Sequence, residues 1–267
     1  MWFSAMIKSL FDCISQIARY GQTKIENQEA SSIIQDKEDL EKAGNYAEQI
    51  IEIAQKYKSS MSWRDLLNVQ NVEKGFFASS NSYGIPDIIP DEFDVKELIP
   101  YRVDSNRNGT AHFFLDDYRF ERCWKNADSQ IEELKKYDGV LSPDFSMYTN
   151  YPEAFQIWQV YRNRWCAAYW QSKGIKVIPT ISWSTESSYK YAFLGIPKNS
   201  VVAIGTVGIL NDKNAEKLFM QGFKEMLKQL EPKHILIYGN RLTELEGYKN
   251  LQWFEPYTSK WNKKKGR

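Results

Sequence analysis

The sequence contains few of the residues on which disulfide-bonded folds and zinc sites depend. Its 267 residues include three cysteines, Cys13, Cys123 and Cys166, which lie far apart and form no Cys-x-x-Cys pair. This spacing excludes a disulfide scaffold and fits a reducing compartment. The two histidines, His112 and His234, are too few for a zinc site that needs several histidine or cysteine ligands.

The sequence also lacks an excess of charge of one sign and long apolar runs. Lysine and arginine total 35 against 34 aspartates and glutamates, so the formal net charge of +1 provides no global attraction to nucleic acid or a membrane. The apolar segment at residues 2–11 is short, has no basic region before it and is interrupted by Lys8. It therefore predicts neither a signal peptide nor a membrane span. We expect a soluble cytoplasmic protein with no membrane partner, in which residues 2–19 form an amphipathic helix that packs on the body or on a partner.

What is present is enough apolar surface for a core, because 42% of the residues are hydrophobic and 15% are aromatic. The pattern along the chain divides it into four predicted regions. These are an N-terminal helical arm (1–60), an irregular connector rich in proline and turn residues (61–110), an α/β domain (111–258) and a basic tail (259–267).

After residue 111, short apolar runs alternate with longer helical stretches, which is typical of β/α units. The predicted strands cover residues 112–115, 139–141, 176–181, 201–204 and 234–238, and 251–254 is a candidate for a sixth short strand. The predicted helices cover residues 121–136, 152–172, 186–193 and 213–230.

This alternation predicts an α/β fold with a mainly parallel sheet of about five β/α units. The sequence leaves open whether the sheet is open or curls into a partial barrel. Gly139, Gly174 and Gly195 each stand where a left-handed residue would end a helix before the next strand. In either arrangement the functional edge lies at the carboxyl ends of the strands.

Three carboxylates stand just past two consecutive strands at this edge, namely Asp116, Asp117 and Asp144. Carboxylates grouped in this way can hold a divalent metal ion, or they can divide general acid and general base work between them. The alternative is structural, because aspartate at a strand-to-helix turn caps helices and closes Asx turns.

Candidate ligand-binding residues lie on the aromatic-rich predicted helix and in two strand-end turns. Gln156 and one of the arginines Arg162 and Arg164 are candidates to reach the strand edge and bind an anionic or sugar-like ligand. The alternative is a central packing helix whose arginines satisfy neighbouring loops and carboxylates such as Asp116 or Asp144. Trp183 is a candidate floor for a ring-shaped ligand, and Thr206, in a Gly-Thr-Val-Gly turn, a weaker candidate for phosphate.

The C-terminal segment carries a cluster of positive charges with no acidic residue. This cluster consists of Lys260, Lys263, Lys264, Lys265 and Arg267. A solvated tail and a salt-sensitive contact with the phosphate backbone of nucleic acid are the two interpretations.

Several segments, taken in order, resemble one protein family. They are FFLDDYRFER (113–122), SPDFS (142–146), YRNR (161–164), YWQ (169–171), VIPTISW (177–183) and GTVG (205–208). Together they resemble the domain-of-unknown-function family number 4417 over roughly residues 80–245. The resemblance implies an association with Gram-positive bacteria, their phages and plasmids, and it implies no particular reaction.

The leading hypothesis is a carboxylate- or metal-dependent hydrolase of a phosphate ester or a glycosidic bond, with its site at the carboxyl edge of the strands. The competing hypotheses are a non-catalytic nucleic-acid- or protein-binding factor of a phage or plasmid, and a counter-defence protein that sequesters a ligand. The sequence alone does not separate them.

Overall fold

The computed structural model describes residues 70–71, 74–103, 105–209 and 212–257. The predicted helical arm and basic tail lie outside these residues. The chain divides into two compact units, of which one comprises residues 1–78 with 171–174 and the other residues 79–170 with 175–267. In the described part of the first unit, the amide of Lys74 donates to the carbonyl of Asn71 at 2.9 Å and closes a turn.

The second unit contains the strands of the described chain. They are β1 (Leu98–Pro100), β2 (Thr110–His112), β3 (Gly139–Leu141), β4 (Val177–Ile178), β5 (Val201–Gly205), β6 (His234–Tyr238) and β7 (Leu251–Phe254). The α-helices are α1 (Asp117–Phe120), α2 (Arg122–Lys125), α3 (Ala127–Leu134), α4 (Glu153–Ser172), α5 (Tyr189–Ala192) and α6 (Lys213–Leu230). Short 3-10 helices cover Glu186–Ser188 and Thr243–Leu245.

All the strand pairs are parallel, and the strands follow one another in chain order. Strands β1 to β4 form one sheet and β5 to β7 form a second. A parallel bridge between Thr180 and Ala203 joins the two sheets, supported by a 2.8 Å hydrogen bond from the Ile181 amide to the Ala203 carbonyl. This arrangement confirms the predicted α/β class and the mainly parallel sheet.

Side chains alternate along each strand between an outer layer and an inner layer. Val202 and Ile204 of β5 pack in a cluster with Phe219 and Phe223 of α6, on the outer face. Their neighbours on the other face lie in an inner cluster formed from β1, β3, β4, β5 and β6, whose strand residues are Leu98, Leu141, Ile178, Ala203, Leu236 and Tyr238. The sheet is therefore curled around this inner cluster.

The curl stops short of a closed barrel. Gln252 of β7 donates from Nε2 to the carbonyl oxygen of Val95, just before β1, at 2.7 Å. No ladder joins β7 to β1 within the described chain, so this side-chain hydrogen bond bridges the open seam.

The structure refines several predicted boundaries. Strand β1 lies inside the predicted irregular connector, where the apolar run Leu98–Pro100 was too short to be recognised. The single helix predicted at 121–136 is two short helices, α2 and α3, separated at Asn126, and the short helix α1 precedes them. Helices α4 and α6 lie within a residue of their predicted bounds.

The predicted role of Gly139 was wrong, whereas Gly174 and Gly195 adopt the expected left-handed conformation with φ of 79° and 73°. Gly139 is the first residue of β3, and a Cβ there would lie 2.3 Å from Cζ of Phe93. Glycine is needed at 139 because an aromatic ring packs directly on the strand, and not because a helix ends there.

Candidate functional site

Asp117 ties together the loops at the carboxyl edge of the sheet. As the first residue of α1, it accepts hydrogen bonds from the amide of Ser146 at 3.2 Å and from its hydroxyl at 2.8 Å. Gln159 of α4 also donates to Asp117, at 3.3 Å. The carboxylate thus holds the loop that follows β3 against α1 and α4.

Asp144 lies in that same loop, and its carboxylate accepts a hydrogen bond from the hydroxyl of Ser182, in the loop after β4. Desolvation by burial raises the pKa of Asp144 to about 7, opposed by the Ser182 hydrogen bond and reinforced by the negative charge of Asp117. A carboxyl group whose pKa is raised toward neutrality in this way is suited to donate or accept a proton.

Asp116 is more exposed to solvent than these two carboxylates. Its side chain is 71% exposed and lies 3.6 Å from Nε of Arg119. It occupies the position before α1, yet its side chain makes no capping hydrogen bond. Asp116 is thus a solvated carboxylate at the rim of the edge.

Arg162 is buried and pairs with a glutamate that sequence reasoning did not single out. Its NH1 donates to the two carboxylate oxygens of Glu121 at 2.8 and 2.9 Å. Its NH2 donates to Gln159, and the guanidinium lies 3.9 Å from the centre of the Phe145 ring. Arg162 therefore supports both the residue next to Asp144 and the amide that contacts Asp117.

Arg164 is buried, and four oxygen atoms accept hydrogen bonds from its guanidinium. Three are the backbone carbonyls of Leu194, Ala192 and Thr180, at 3.0, 2.8 and 3.1 Å, and the fourth is Oδ1 of Asn163 at 2.6 Å. Desolvation lowers the pKa of Arg164. The side chain anchors α4 to the end of β4 and to α5, as the packing interpretation anticipated.

Gln156 is buried and uses its amide within the protein. Its Nε2 donates to the carbonyl of Tyr151 at 2.9 Å, and its Oε1 accepts from the hydroxyl of Tyr191 at 2.9 Å. These bonds hold the start of α4 against α5.

The side chains of the remaining two candidates, Trp183 and Thr206, contact other parts of the protein. Trp183 packs in the outer layer against Phe219, with ring centres 5.3 Å apart, and lies over Gly222 of α6. Thr206 is fully buried and donates from Oγ1 to the carbonyl of Asn240 at 2.8 Å. The structure therefore brings together Asp117, Asp144 and the supporting side chain of Arg162. It does not bring together all the predicted site residues.

A small cavity of about 10 Å³ lies beside Ser182 and Phe145, which is roughly the space that a single water molecule needs. It is lined by Gln159, Asn163, Arg164 and Ser182, together with Phe145, Met147 and Val160. In the part of the chain that the structure describes, no three histidine, cysteine, aspartate or glutamate side chains are grouped to hold a metal ion.

Sequence reasoning missed the partners that position the carboxylates, namely Glu121, Ser146, Gln159 and Ser182. Ser146 and Ser182 follow neighbouring strands, and that position was the available signal. Glu121 and Arg162 are 41 residues apart, so only the packing of α1 and α2 on α4 reveals their pairing.

Comparison with known proteins gives one family match. The family model described as Domain of unknown function (DUF4417) matches residues 77–255. The Gene 1 protein of Mycobacterium phage L5 is 41% identical over 194 residues, which cover 68% of this chain and 83% of that protein. The Gene 1 protein of Mycobacterium phage D29 is 37% identical over 207 residues, which cover 75% and 74% of the two chains. No solved structure matches.

Within residues 70–71, 74–103, 105–209 and 212–257, no helix is long and apolar enough to span a membrane.

Proposed function

The chain belongs to the family described as Domain of unknown function (DUF4417), with relatives in mycobacterial phages, and we propose that it is a hydrolase whose acid–base group is Asp144. The observation that carries the proposal is the Asp144 carboxyl group, held by Ser182 at the carboxyl edge of the strands with a pKa of about 7. Groups with such shifted pKa values at strand edges are candidates for proton transfer.

The second carboxylate of the proposed pair is Asp117, whose charge contributes to the raised pKa of Asp144. Hydrolysis needs a proton delivered to the leaving oxygen and a proton removed from the attacking water. Protonated Asp144 gives its proton to the leaving alcohol oxygen, and ionised Asp117 takes the proton that water loses as it forms the new bond. Proton exchange with solvent then restores both groups.

The substrate class is a phosphate ester or a glycosidic bond, in each of which a C–O or P–O bond breaks with water as the nucleophile. The proposed mechanism assigns no step to a metal ion. Arg162 and Gln159 act as positioning residues, since Arg162 packs over Phe145 and Gln159 donates to Asp117. Arg164 and Gln156 hold α4 in place, and Thr206 joins the turns after β5 and β6, through hydrogen bonds to other protein groups.

The test is hydrolysis of a panel of nitrophenyl phosphate mono- and diesters and nitrophenyl glycosides by the full chain. Asp144→Asn is compared with Asp94→Asn, a matched control because the Asp94 side chain is 75% exposed. General acid–base catalysis contributes about 10²–10⁴-fold, so we expect Asp144→Asn to lower kcat by about 100-fold or more, and Asp94→Asn to leave it unchanged. Activity on no member of the panel, or equal activity in both variants, would overturn the proposal.

A second candidate function is a non-catalytic binding factor, and exposed aromatic rings favour it. Tyr148 is 59% exposed, Phe155 43% and Trp158 41%, around the first half of α4. Aromatic side chains are enriched at protein interfaces. A pull-down in which Trp158→Ala loses a partner that Asp144→Asn retains would favour this second function over hydrolysis.

A further inference from the structure

Exposed aromatic side chains lie close in the chain to both carboxylates of the proposed pair. Tyr118 directly follows Asp117 in α1 and is 74% exposed. Tyr148 lies in the loop after β3, four residues beyond Asp144, and is 59% exposed. The hydroxyl of Ser146 donates to Asp117 at 2.8 Å, so this loop and α1 are held together. Both tyrosines are therefore within two residues of the contact that joins the loop to α1.

The Tyr148 ring is the first of an aromatic row, which consists of Tyr148, Tyr151 and Phe155. The ring centres of Tyr148 and Tyr151 are 5.1 Å apart, and those of Tyr151 and Phe155 are 5.0 Å apart. Each pair packs edge to face, which is a favourable geometry for aromatic rings. These contacts fix the rings in place while Tyr148 and Phe155 stay exposed. Contiguous exposed apolar surface of this kind marks binding sites more often than scattered single residues do.

Neutral polar side chains accompany the aromatic row. Thr149 and Asn150 follow Tyr148 in the same loop, and both are exposed. The hydroxyl of Thr149 and the amide of Asn150 can each donate and accept hydrogen bonds. A sugar ring has an apolar face of C–H groups and a rim of hydroxyl groups, so it matches this combination of side chains.

The charges around the pair disfavour a phosphate group. Neither Asp117 nor Asp144 forms an ion pair within the described residues. Arg119 lies 5.6 Å from the centre of the Tyr118 ring, but Asp116 offsets its charge. Because like charges repel, a phosphate would meet ionised Asp117 without a spare cation, whereas an uncharged ligand would not. The cations that contact this region each have a carboxylate partner: Arg119 with Asp116, Arg162 with Glu121 and Lys190 with Glu153, at 3.6, 2.8 and 2.6 Å.

We propose that Tyr118 and the aromatic row bind a neutral oligosaccharide. Its sugar rings stack on the exposed aromatic rings, and its hydroxyl groups form hydrogen bonds with Thr149 and Asn150. This proposal rests on the proposed hydrolase and narrows its substrate class to a glycosidic bond. Asp144 protonates the leaving oxygen as its bond to the anomeric carbon breaks. The oxygen of water bonds to that carbon and loses a proton to Asp117.

Calorimetric titration of the full chain with neutral six-sugar chains tests the proposal. The probes are maltohexaose, cellohexaose and the hexamer of N-acetylglucosamine, and mass spectrometry of each titrated sample shows whether the sugar is cleaved. We expect at least one probe to bind. Tyr148→Ala should weaken its binding about three- to tenfold, the effect expected from the loss of one aromatic contact.

Two control variants separate ring stacking from a general loss of folding. Tyr148→Phe keeps the ring, so its affinity should stay within about twofold of wild type. Phe76→Ala removes a 47% exposed ring from the other compact unit and should leave binding unchanged. A loss of affinity in either control as large as that in Tyr148→Ala would overturn the proposal.

A six-nucleotide thymidine strand, with and without Mg²⁺, is the charged probe that also carries rings. Tighter binding of this strand than of every sugar chain would overturn the proposal, and so would the failure of every sugar chain to bind. A sugar chain that binds through Tyr148 and stays intact would support the sugar site but count against the hydrolase. Hydrolysis of nitrophenyl phosphates without sugar binding would overturn the sugar site and leave the hydrolase standing.

Discussion

Ser182 donates its hydroxyl hydrogen to the carboxylate of Asp144, and this bond joins the loops that follow two adjacent parallel strands, β3 and β4. A hydroxyl donor stabilises the ionised carboxylate, while burial and the charge of Asp117 oppose ionisation. The balance of these effects sets the protonation of Asp144 near neutral pH.

Ionisation of Asp144 is expected to cost stability. Its pKa is raised from 3.8 to about 7 in the folded chain, so between these values the folded state binds more protons than the unfolded state. Stability from this group therefore falls as pH rises toward 7, and it stays low above that value. Relative to Asp144→Asn, wild type should lose on the order of 2–3 kcal/mol between pH 5 and pH 8, measured by urea unfolding. Asp94→Asn should show no such change, and a difference independent of pH would contradict the assignment.

Ser182→Ala removes the donor that favours the ionised carboxylate. We expect the pKa of Asp144 to move above its wild-type value of about 7. Carbon-13 NMR titration of the aspartate carboxyl resonances, assigned with Asp144→Asn, measures this shift. Ser187→Ala is the control, because Ser187 is exposed and contacts the hydroxyl of Thr185 instead. An unchanged or lower midpoint in Ser182→Ala would show that the hydroxyl does not act on Asp144.

Arg164→Lys should destabilise the fold strongly. The guanidinium donates to three backbone carbonyls and the side-chain oxygen of Asn163, and a lysine ammonium has only three donors in a different geometry. Leaving buried acceptors unpaired costs about 1–3 kcal/mol each, so we expect a loss of roughly 2–4 kcal/mol in urea unfolding. Arg122→Lys, on the exposed side of α2, should change stability by less than about 0.5 kcal/mol. Equal losses of stability in Arg164→Lys and Arg122→Lys would contradict the anchoring role of Arg164.

Gly222→Ala tests the position of Trp183 in the outer layer. A Cβ at 222 would lie 2.2 Å from the indole of Trp183, so the substitution should destabilise by about 1–3 kcal/mol although alanine favours helix. Trp183→Leu in the same chain should recover part of this loss, as a double-mutant cycle measures. Gly247→Ala is the control, because nothing lies within 4 Å of a Cβ there. No coupling between positions 183 and 222 would contradict the packing of Trp183 on Gly222.

The sequence was informative where a periodic pattern has one physical cause. Val202 and Ile204 alternate with Ala203 because one face of β5 meets α6 and the other meets the inner cluster, so the strand could be predicted. The position of Asp144 just past β3, at the carboxyl edge of the strands, could be predicted from the strand pattern in the same way. These inferences needed only local pattern and sheet topology.

The partners of buried polar groups could not be predicted in the same way. In a plausible fold, the Arg162 guanidinium could pair with any of several carboxylates. Its pairing with Glu121 depends on how α1 and α2 pack against α4. Gly139 resembles a helix end in sequence, but its small size serves the ring of Phe93, which comes 46 residues earlier in the chain. Such contacts join residues distant in sequence and leave no periodic signal.

A substrate site at Asp144 is tested by the ligand-dependent thermal stability of wild type, Asp144→Asn and Asp94→Asn. The panel contains phosphate esters, sugar phosphates and glycosides, each with and without Mg²⁺, Mn²⁺ or Ca²⁺. A ligand that binds the folded state raises Tm by mass action. We predict that at least one of these compounds raises Tm in wild type and in Asp94→Asn but not in Asp144→Asn. An equal rise in Asp144→Asn, or no rise with any compound, would contradict a substrate site at Asp144.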